Sequence, residues 1–200
     1  MSSDDTRARI LRVALQEFAA RGFERTTVRD IVSRAKVNQA AINYHFRGKR
    51  ELYLEVLHQS FAALTSQAVD SVQLDALSRE KALRAFVSSM MMPILSPEEQ
   101  DAHHRLIAWE AINPSGMLSE FHDKSISPHF AMVRRLIARF VPEDRKDVVD
   151  LAALWLIGQC ASFHHVRNSP FKGLIERQRA EDIAAFVADL ALGGLRSLGR

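Results

Sequence analysis

The chain has 200 residues, of which 47% are hydrophobic and 26% charged, a balance that indicates a soluble globular protein with a substantial core. Its one cysteine, Cys160, excludes an internal disulfide and fits a reducing compartment. The first residues show no signal peptide, and no uncharged apolar run is long enough to cross a bilayer. We therefore expect a cytoplasmic protein with no membrane partner.

Basic residues are concentrated near the start of the chain. Residues 1–53 contain 11 Lys and Arg against 6 Asp and Glu, a net charge of +5, whereas the remaining residues have a net charge of −2. This asymmetry fits a head that binds a polyanion, attached to a nearly neutral body. A basic face alone, however, is more often simply solvated surface.

The first predicted helix begins near Asp4 and Asp5, whose negative charge favours a helix N-terminus, and runs to about Arg21. Gly22 is expected to end it. Apolar residues recur along it at helical spacing, so one side should face a core; they include Ile10, Val13, Ala14 and Phe18.

Two short helices joined by a tight turn are predicted next. Thr27 is a good N-cap and Asp30 can complete a capping box, which predicts a helix over 28–35. Asn38 is a second N-cap and predicts another helix over 39–45. This helix-turn-helix arrangement allows the second helix to enter the major groove of DNA while the first crosses the backbone.

The second of these helices has the composition that such a role needs. The first turn of such a helix should carry short polar or small side chains, and Gln39, Ala40, Ala41 and Asn43 meet this requirement. Ile42 and Phe46 lie four residues apart and should point inward to fix the helix to the core. Lys49 then stands at the start of another helix, where backbone N–H groups and a cation together suit a phosphate.

The segment GFERTTVRDIVSRAKVNQAAINYHFRGKREL is similar to the helix-turn-helix signature of TetR-type transcriptional regulators, and the resemblance extends over about residues 9–57. It implies that some side chains face bases, namely Arg29, Gln39, Ala40 and Asn43. It also implies that Thr27, Tyr44, His45 and Lys49 hold phosphates. With the N-cap Asn38, these residues form the predicted DNA-binding set.

The resemblance implies an all-α fold. A three-helix DNA-binding head with the helix-turn-helix is expected over 1–48, and a larger helical ligand-binding and dimerisation domain over 49–200. Three residues depart from the common pattern of the family. Lys36 replaces the usual Gly of the turn, at a cost of about 1 kcal/mol if its φ is positive. Ala41 and Asn43 stand where Thr and Tyr are frequent, so the operator cannot be copied from a known member.

The middle of the chain predicts further helices and a ligand pocket. A connector helix runs from Lys49 to about Val69, Ser78 caps the next helix, and Ser96-Pro97 begins another. Pro128 either begins a helix after Ser127 or kinks a longer one. Aromatic, Met and amide side chains on these helices are the candidate walls of a pocket for a small apolar or amphipathic ligand: Phe86, Met90, Trp109, Phe121, Phe130, Trp155, Gln159 and Phe163.

The last two predicted helices, from Glu143 to about Val166 and from Ala180 to Leu198, are apolar on more than one face. Such helices must be covered on both sides, which for terminal helices often means a second copy of the chain. In TetR-type proteins the last two helices form a four-helix dimer interface, in agreement with this pattern. The segment LWLIGQCASFHHVR also resembles the C-terminal domain of the CecR-like branch.

A metal site and an enzymatic site have less support in the sequence. Eight histidines are present, but adjacent histidines on a helix point in different directions and there is no CxxC or HExxH spacing, so no metal or cofactor is predicted. Cys160 and His164 are four residues apart, but an apolar run disfavours the thiolate, and a packed core cysteine is predicted instead of an enzyme nucleophile.

We therefore expect a homodimeric repressor that binds a pseudo-palindromic operator and is released by a small ligand. The alternatives are a DNA-binding regulator controlled by a protein partner, a metal sensor and an enzyme.

Overall fold

The computed structural model describes residues 3–65, 71–95, 101–122, 126–167 and 169–198. Over these residues the regular structure is helical and contains no strand, which confirms the all-α prediction. Contacts divide the chain into two compact units: unit 1 comprises Met1–Leu64 and Glu99–Ser125, and unit 2 comprises Thr65–Glu98 and Ile126–Arg200. The division into domains at residues 48 and 49 stays a prediction.

Unit 1 contains the N-terminal helices and two helices from the middle of the chain. Its helices are α1 Ser3–Arg25, α2 Val28–Ala35, α3 Gln39–Phe46, α4 Lys49–Thr65, α7 Asp101–Ile112 and α8 Leu118–Phe121. Unit 2 contains α5 Ser71–Ala76, α6 Arg79–Leu95, α9 Ser127–Ala138, a 3-10 helix Glu143–Val148, α10 Val149–Arg167, α11 Lys172–Ile175 and α12 Ala180–Leu198. The predicted helix start at Ser96-Pro97 lies outside the described residues.

Gly22 interrupts α1 but does not end it as predicted, because the helix continues to Arg25. Its backbone has φ 74° and ψ 176°, so the helical conformation breaks there and resumes for the last residues of α1. Trp109 of α7 packs directly against this glycine, and a Cβ added at Gly22 would lie 2.2 Å from the indole Nε1. Both the positive φ and the close approach of Trp109 therefore require glycine at this position.

Buried apolar side chains hold α1, α2 and α3 together. Ile10, Ala14 and Phe18 of α1 are fully buried, and so are Ile31 and Ala35 of α2. In α3, Ile42 is fully buried and Phe46 is 5% exposed, so the prediction that these two residues face inward is confirmed.

A buried carboxylate also joins α1 to α2. Glu17 is 1% exposed and accepts a hydrogen bond from the Arg34 guanidinium, while Arg21 Nη1 lies 3.7 Å from its second oxygen. The Thr26 hydroxyl donates to the Gly22 carbonyl at 2.8 Å and so fixes the chain between the two helices. The two guanidinium groups compensate the charge of this buried carboxylate.

The core of unit 2 lies among α6, α9, α10 and α12. Met91 and Cys160 are both fully buried in it, with many aliphatic side chains around them. Arg139, the C-cap residue of α9, donates to the Leu74 carbonyl at 2.9 Å and also to the Leu77 carbonyl, and so satisfies carbonyls at the end of α5.

Some predicted helix bounds in unit 2 need correction. The helix predicted from Glu143 begins as the 3-10 helix Glu143–Val148, and the α-helix starts only at Val149. Pro128 lies in the first turn of α9, where its missing N–H removes no hydrogen bond of that helix. Residues 123–125, on which the alternative of a longer kinked helix depends, lie outside the described residues. The short helices α5 and α11 were not predicted, because neither has enough residues to show a periodic pattern.

Candidate nucleic-acid interface

A complete capping box begins α2. The Asp30 N–H donates to Thr27 Oγ1 at 3.1 Å, and the Thr27 N–H donates to Asp30 Oδ2 at 3.3 Å. The hydrogen bonds from Thr27, with Arg21 and Arg34 nearby, lower the pKa of the Asp30 carboxyl from its ordinary value. The carboxylate therefore stays ionised near neutral pH, and the start of α2 is fixed by two reciprocal hydrogen bonds.

The turn between α2 and α3 depends on a left-handed residue. Lys36 has φ 51° and ψ 49°, and the backbone N–H of Val37 donates to the Val32 carbonyl at 3.0 Å. This is the position at which the resemblance implies glycine. Lysine in this conformation costs about 1–2 kcal/mol relative to a relaxed backbone, a strain that the surrounding helices must offset.

Helix α3 exposes the residues expected of a reading helix. The Asn38 side chain accepts a hydrogen bond from the Ala40 N–H at 3.0 Å and so caps the helix. Gln39, Ala40 and Asn43 are exposed, whereas Ile42 on the other side of the helix is fully buried. The first turn therefore offers small and polar side chains while the opposite face is fixed by packing.

The exit from α3 contains a second left-handed residue. Arg47 has φ 64° and Gly48 has φ 147°, after which α4 begins at Lys49. The Arg47 N–H donates to the Asn43 carbonyl at 3.0 Å, which closes the end of α3. The positive φ of Arg47 was not predictable from the sequence, since an arginine gives no signal for this conformation.

The remaining members of the predicted DNA-binding set also reach the surface. Thr27 and Arg29 are exposed at the start of α2, and Tyr44 is 79% exposed on α3. His45 is half-buried with its ring centroid 4.9 Å from that of Tyr44, and Lys49 is half-buried with its Nζ 4.2 Å from the centroid of the Phe23 ring. Their individual contacts to bases or phosphates stay predictions.

The predicted ligand-pocket residues are divided between the two units. Trp109 and Phe121 lie in unit 1, where Trp109 packs on Gly22 and Phe121 is 1% exposed. The other six lie in unit 2: Phe86 is fully buried, Met90, Phe130 and Phe163 are half-buried, and Trp155 and Gln159 are exposed. The eight side chains therefore lie in different environments within their units, and their assignment as pocket walls stays a prediction.

Unit 1 has a cavity of its own among α1, α4 and α7, with a volume of about 540 Å³. Its lining combines apolar and polar groups, including Leu11, Val56, Arg7 and His103. His103 Nδ1 lies 2.9 Å from the hydroxyl oxygen of the buried Ser60, and burial lowers the pKa of His103. Sequence periodicity could not reveal this cavity, because its walls come from helices far apart in the chain.

The environment of Cys160 agrees with a core residue. Its side chain is fully buried, and burial raises the pKa of the thiol to about 12. A thiol with this pKa is almost entirely protonated near pH 7 and is a poor nucleophile. Among the residues that the structure describes, no three His, Cys, Asp or Glu side chains are grouped to hold a metal ion.

Two capped helices, a tight turn and an exposed polar first turn on the second helix together define a helix-turn-helix protein that binds DNA. Two family models match the chain. The model described as "Bacterial regulatory proteins, tetR family" matches residues 10–56. The model described as "HTH-type transcriptional dual regulator CecR, C-terminal domain" matches residues 79–196. The chain belongs to the TetR family of transcriptional regulators and has a CecR-type C-terminal domain.

Similar proteins support this assignment along nearly the whole chain. The HTH-type transcriptional repressor NicS of Pseudomonas putida is 27% identical, over 97% of this chain and 94% of the relative. The HTH-type transcriptional dual regulator CecR of Shigella flexneri is 28% identical, over 82% of this chain and 77% of the relative. The family and these relatives are regulators of transcription, a role that is not enzymatic.

Solved structures show the same fold. A transcriptional regulator from Rhodococcus sp. Rha1 has a TM-score of 0.70 and 19% identity, with 94% of this chain and 96% of that chain covered. HlyIIR, a hemolysin II transcriptional regulator, has a TM-score of 0.68 and 22% identity, with 94% and 98% covered. Over the described residues, no helix is both long and apolar enough to cross a membrane.

Proposed function

We propose that this chain is a homodimeric repressor that binds a pseudo-palindromic operator and is released by a small-molecule ligand. The proposal of DNA binding rests on helix α3. Its capped N-terminal part exposes Gln39, Ala40 and Asn43, while the buried Ile42 and Phe46 fix its other side. Two such heads related by twofold symmetry would contact half-sites about 34 Å apart, one turn of the DNA helix. As a bacterial gene regulator it would act in the cytoplasm, where the chromosome lies.

Support for the homodimer comes from α10 and α12. Five large apolar side chains on these helices are 46–68% exposed: Leu151, Leu154, Trp155, Phe186 and Leu190. They follow helical spacing, and a Cβ added at Gly158, Gly193 or Gly194 would meet no atom within 4 Å. An apolar face of this kind with room for close helix approach fits a second copy of the same helices.

Support for repression comes from the relatives. NicS is named a repressor and CecR a dual regulator. The CecR-type C-terminal domain of this chain makes dual regulation the alternative outcome. Transcription from a promoter that contains the operator distinguishes them: added protein lowers transcription from every such promoter if the chain is a repressor, and raises it from some promoters if regulation is dual.

The cavity in unit 1 is a second candidate for the ligand site, in addition to the predicted set of pocket residues. A volume of about 540 Å³ falls within the range of small-molecule sites, and a lining that combines apolar and polar side chains suits an amphipathic ligand. A ligand there would contact α1 and α4, which precede and follow the helix-turn-helix in the chain. It would favour a geometry of the DNA-binding head that no longer fits the operator.

The ligand proposal is tested by operator release with a panel of apolar and amphipathic metabolites. Ala8 is exposed on α1 and lines the cavity, so Ala8→Phe should occupy part of it and abolish release by an active metabolite. Ala20→Phe places the same side chain elsewhere on α1 and should leave release unchanged. Release that persists in Ala8→Phe would place the ligand elsewhere, and no active metabolite at all would favour control by a protein partner.

The DNA-binding and dimer proposals are tested by selection from random duplex DNA with purified protein, followed by sequencing. A pseudo-palindrome is expected, with equivalent bases about one helical turn apart. A single unrepeated half-site would contradict the dimeric mode of binding, and the absence of any enriched sequence would contradict operator recognition by the ligand-free protein.

A further inference from the structure

The ammonium group of Lys49 is held against an aromatic ring. Lys49 Nζ lies 4.2 Å from the centroid of the Phe23 ring, a distance at which the negative face of the ring attracts a cation. Lys49 is the first residue of α4, so its backbone N–H and its side chain are both close to the end of the helix-turn-helix. The ring contacts the ammonium from one side and leaves its remaining N–H groups available to a phosphate oxygen.

The Phe23 ring is itself fixed by buried aromatic residues. Its centroid lies 5.0 Å from that of Tyr53 and 6.4 Å from that of Phe18. Tyr53 and Phe18 are both fully buried, and their ring centroids lie 4.8 Å apart with the planes at 78°. Phe23 is therefore a rigid support for Lys49, whose own side chain is long and flexible.

Helix α7 anchors this aromatic group. The Tyr53 hydroxyl donates to Glu110 Oε2 at 2.7 Å, and Glu110 is 2% exposed. The other oxygen of Glu110 accepts from the Ser115 N–H at 3.0 Å and from the Ser115 hydroxyl at 2.8 Å. Glu110, which lies 57 positions beyond Tyr53 in the chain, thus determines where the aromatic support of Lys49 lies.

We propose that Phe23 is a positioning residue for operator binding, which places the Lys49 ammonium for a DNA phosphate and is itself anchored through Tyr53 by Glu110. This inference rests on the proposed phosphate contact of Lys49. A lysine that is already placed loses less side-chain freedom when it binds, so the ring raises affinity without contacting DNA. Because a phosphate contact carries no sequence information, Phe23 affects affinity equally for all operator sequences.

The test is a double-mutant cycle on operator affinity, measured by fluorescence anisotropy at several salt concentrations. Phe23→Leu removes the ring but keeps an apolar side chain, Phe23→Tyr keeps the ring, and Lys49→Met removes the cation. Phe23→Leu should weaken binding about two- to fivefold for each head, the range expected for a cation–π contact at a partly exposed site. Phe23→Tyr should bind like the original protein.

The cycle separates positioning from a general effect on folding. In the Lys49→Met background, Phe23→Leu should no longer change affinity, because there is no cation to place. Thermal unfolding of each variant establishes that the head is folded at the assay temperature. An equal loss in both backgrounds would overturn the inference and show that Phe23 only shapes the head, and tighter binding by Phe23→Leu would show that the ring competes with the phosphate.

Failure of the underlying phosphate contact gives a different result. If Lys49→Met alone leaves both the affinity and the salt dependence unchanged, Lys49 does not contact phosphate, and the inference falls with that assignment. The selected operator sequence would still test recognition by α3 independently, because base contacts determine the sequence and phosphate contacts do not.

Discussion

The surface of α3 in unit 1 and the surface of α10 and α12 in unit 2 are opposite in character. On α3 the exposed first turn is small and polar, and the apolar residues Ile42 and Phe46 are buried. On α10 and α12 large apolar side chains remain exposed, among them Leu151 and Phe186. The difference fits the two proposed partners, which are hydrated, charged DNA for the first surface and an apolar protein face for the second.

The largest expected effect is on the apolar surface. Ala161 is exposed on α10 and Leu190 is 58% exposed on α12, so Ala161→Glu or Leu190→Glu should place a charge inside the proposed dimer and weaken it by at least about 3 kcal/mol. Light scattering should then report monomers. Ala131→Glu makes the same change at an exposed position of α9 and should leave a dimer. Intact dimers in both α10 and α12 variants would move the interface elsewhere.

Gly22→Ala should have the next largest effect, which is a loss of stability confined to unit 1. The positive φ costs alanine about 1–2 kcal/mol, and the clash with Trp109 adds about 1–3 kcal/mol, for a total loss of about 2–5 kcal/mol measured by thermal unfolding. The double variant with Trp109→Leu should recover the steric part only. Dimerisation should persist. A fully stable Gly22→Ala protein would contradict the packing of Trp109 on Gly22.

Lys49→Ala should weaken DNA binding for all sequences alike. Loss of one phosphate contact in each head should reduce the dependence of log affinity on log salt by about one unit for each head. Titrations of one selected operator and one random duplex at several salt concentrations provide the measurement. Lys172→Ala, at an exposed lysine of α11, should change neither quantity. An effect of Lys49→Ala confined to sequence preference would contradict the phosphate assignment.

The smallest expected effect is a gain in stability at the turn. Lys36 has a left-handed backbone, so Lys36→Gly should remove the strain and stabilise unit 1 by about 0.5–1 kcal/mol after the greater freedom of glycine in the unfolded chain is counted. Lys36→Ala removes the charge but keeps the strain and serves as the control. Denaturant unfolding should resolve the difference, and a less stable Lys36→Gly protein would contradict the assignment of strain.

Features that depend on neighbouring residues were predictable from the sequence. The caps at Thr27 and Asn38 fix the starts of α2 and α3, and each is a hydrogen bond between residues two or three positions apart. The inward residues of α3 follow from helical spacing. The start of α12 at Ala180 and its end at Leu198 are also as predicted.

Features that depend on contacts between distant residues were not predictable from the sequence. The contacts of Trp109 with Gly22 and of Glu110 with Tyr53 join positions more than 50 residues apart, and no periodic pattern encodes them. The same reason limits the predicted ligand pocket, since aromatic side chains such as Trp109 and Phe86 serve as packing residues in different units. Sequence patterns indicate which side of a helix is buried but not what lies against it.

The most direct test of DNA reading by α3 compares the original protein with Gln39→Ala in parallel selections from random duplex DNA. Gln39 is exposed in the first turn of α3, and Arg105→Ala, at an exposed residue of α7, is the control. Gln39→Ala should relax base preference at one position of each half-site, whereas the control should select the original sequence. An identical operator from the original protein and Gln39→Ala would contradict base recognition by Gln39 in the first turn of α3.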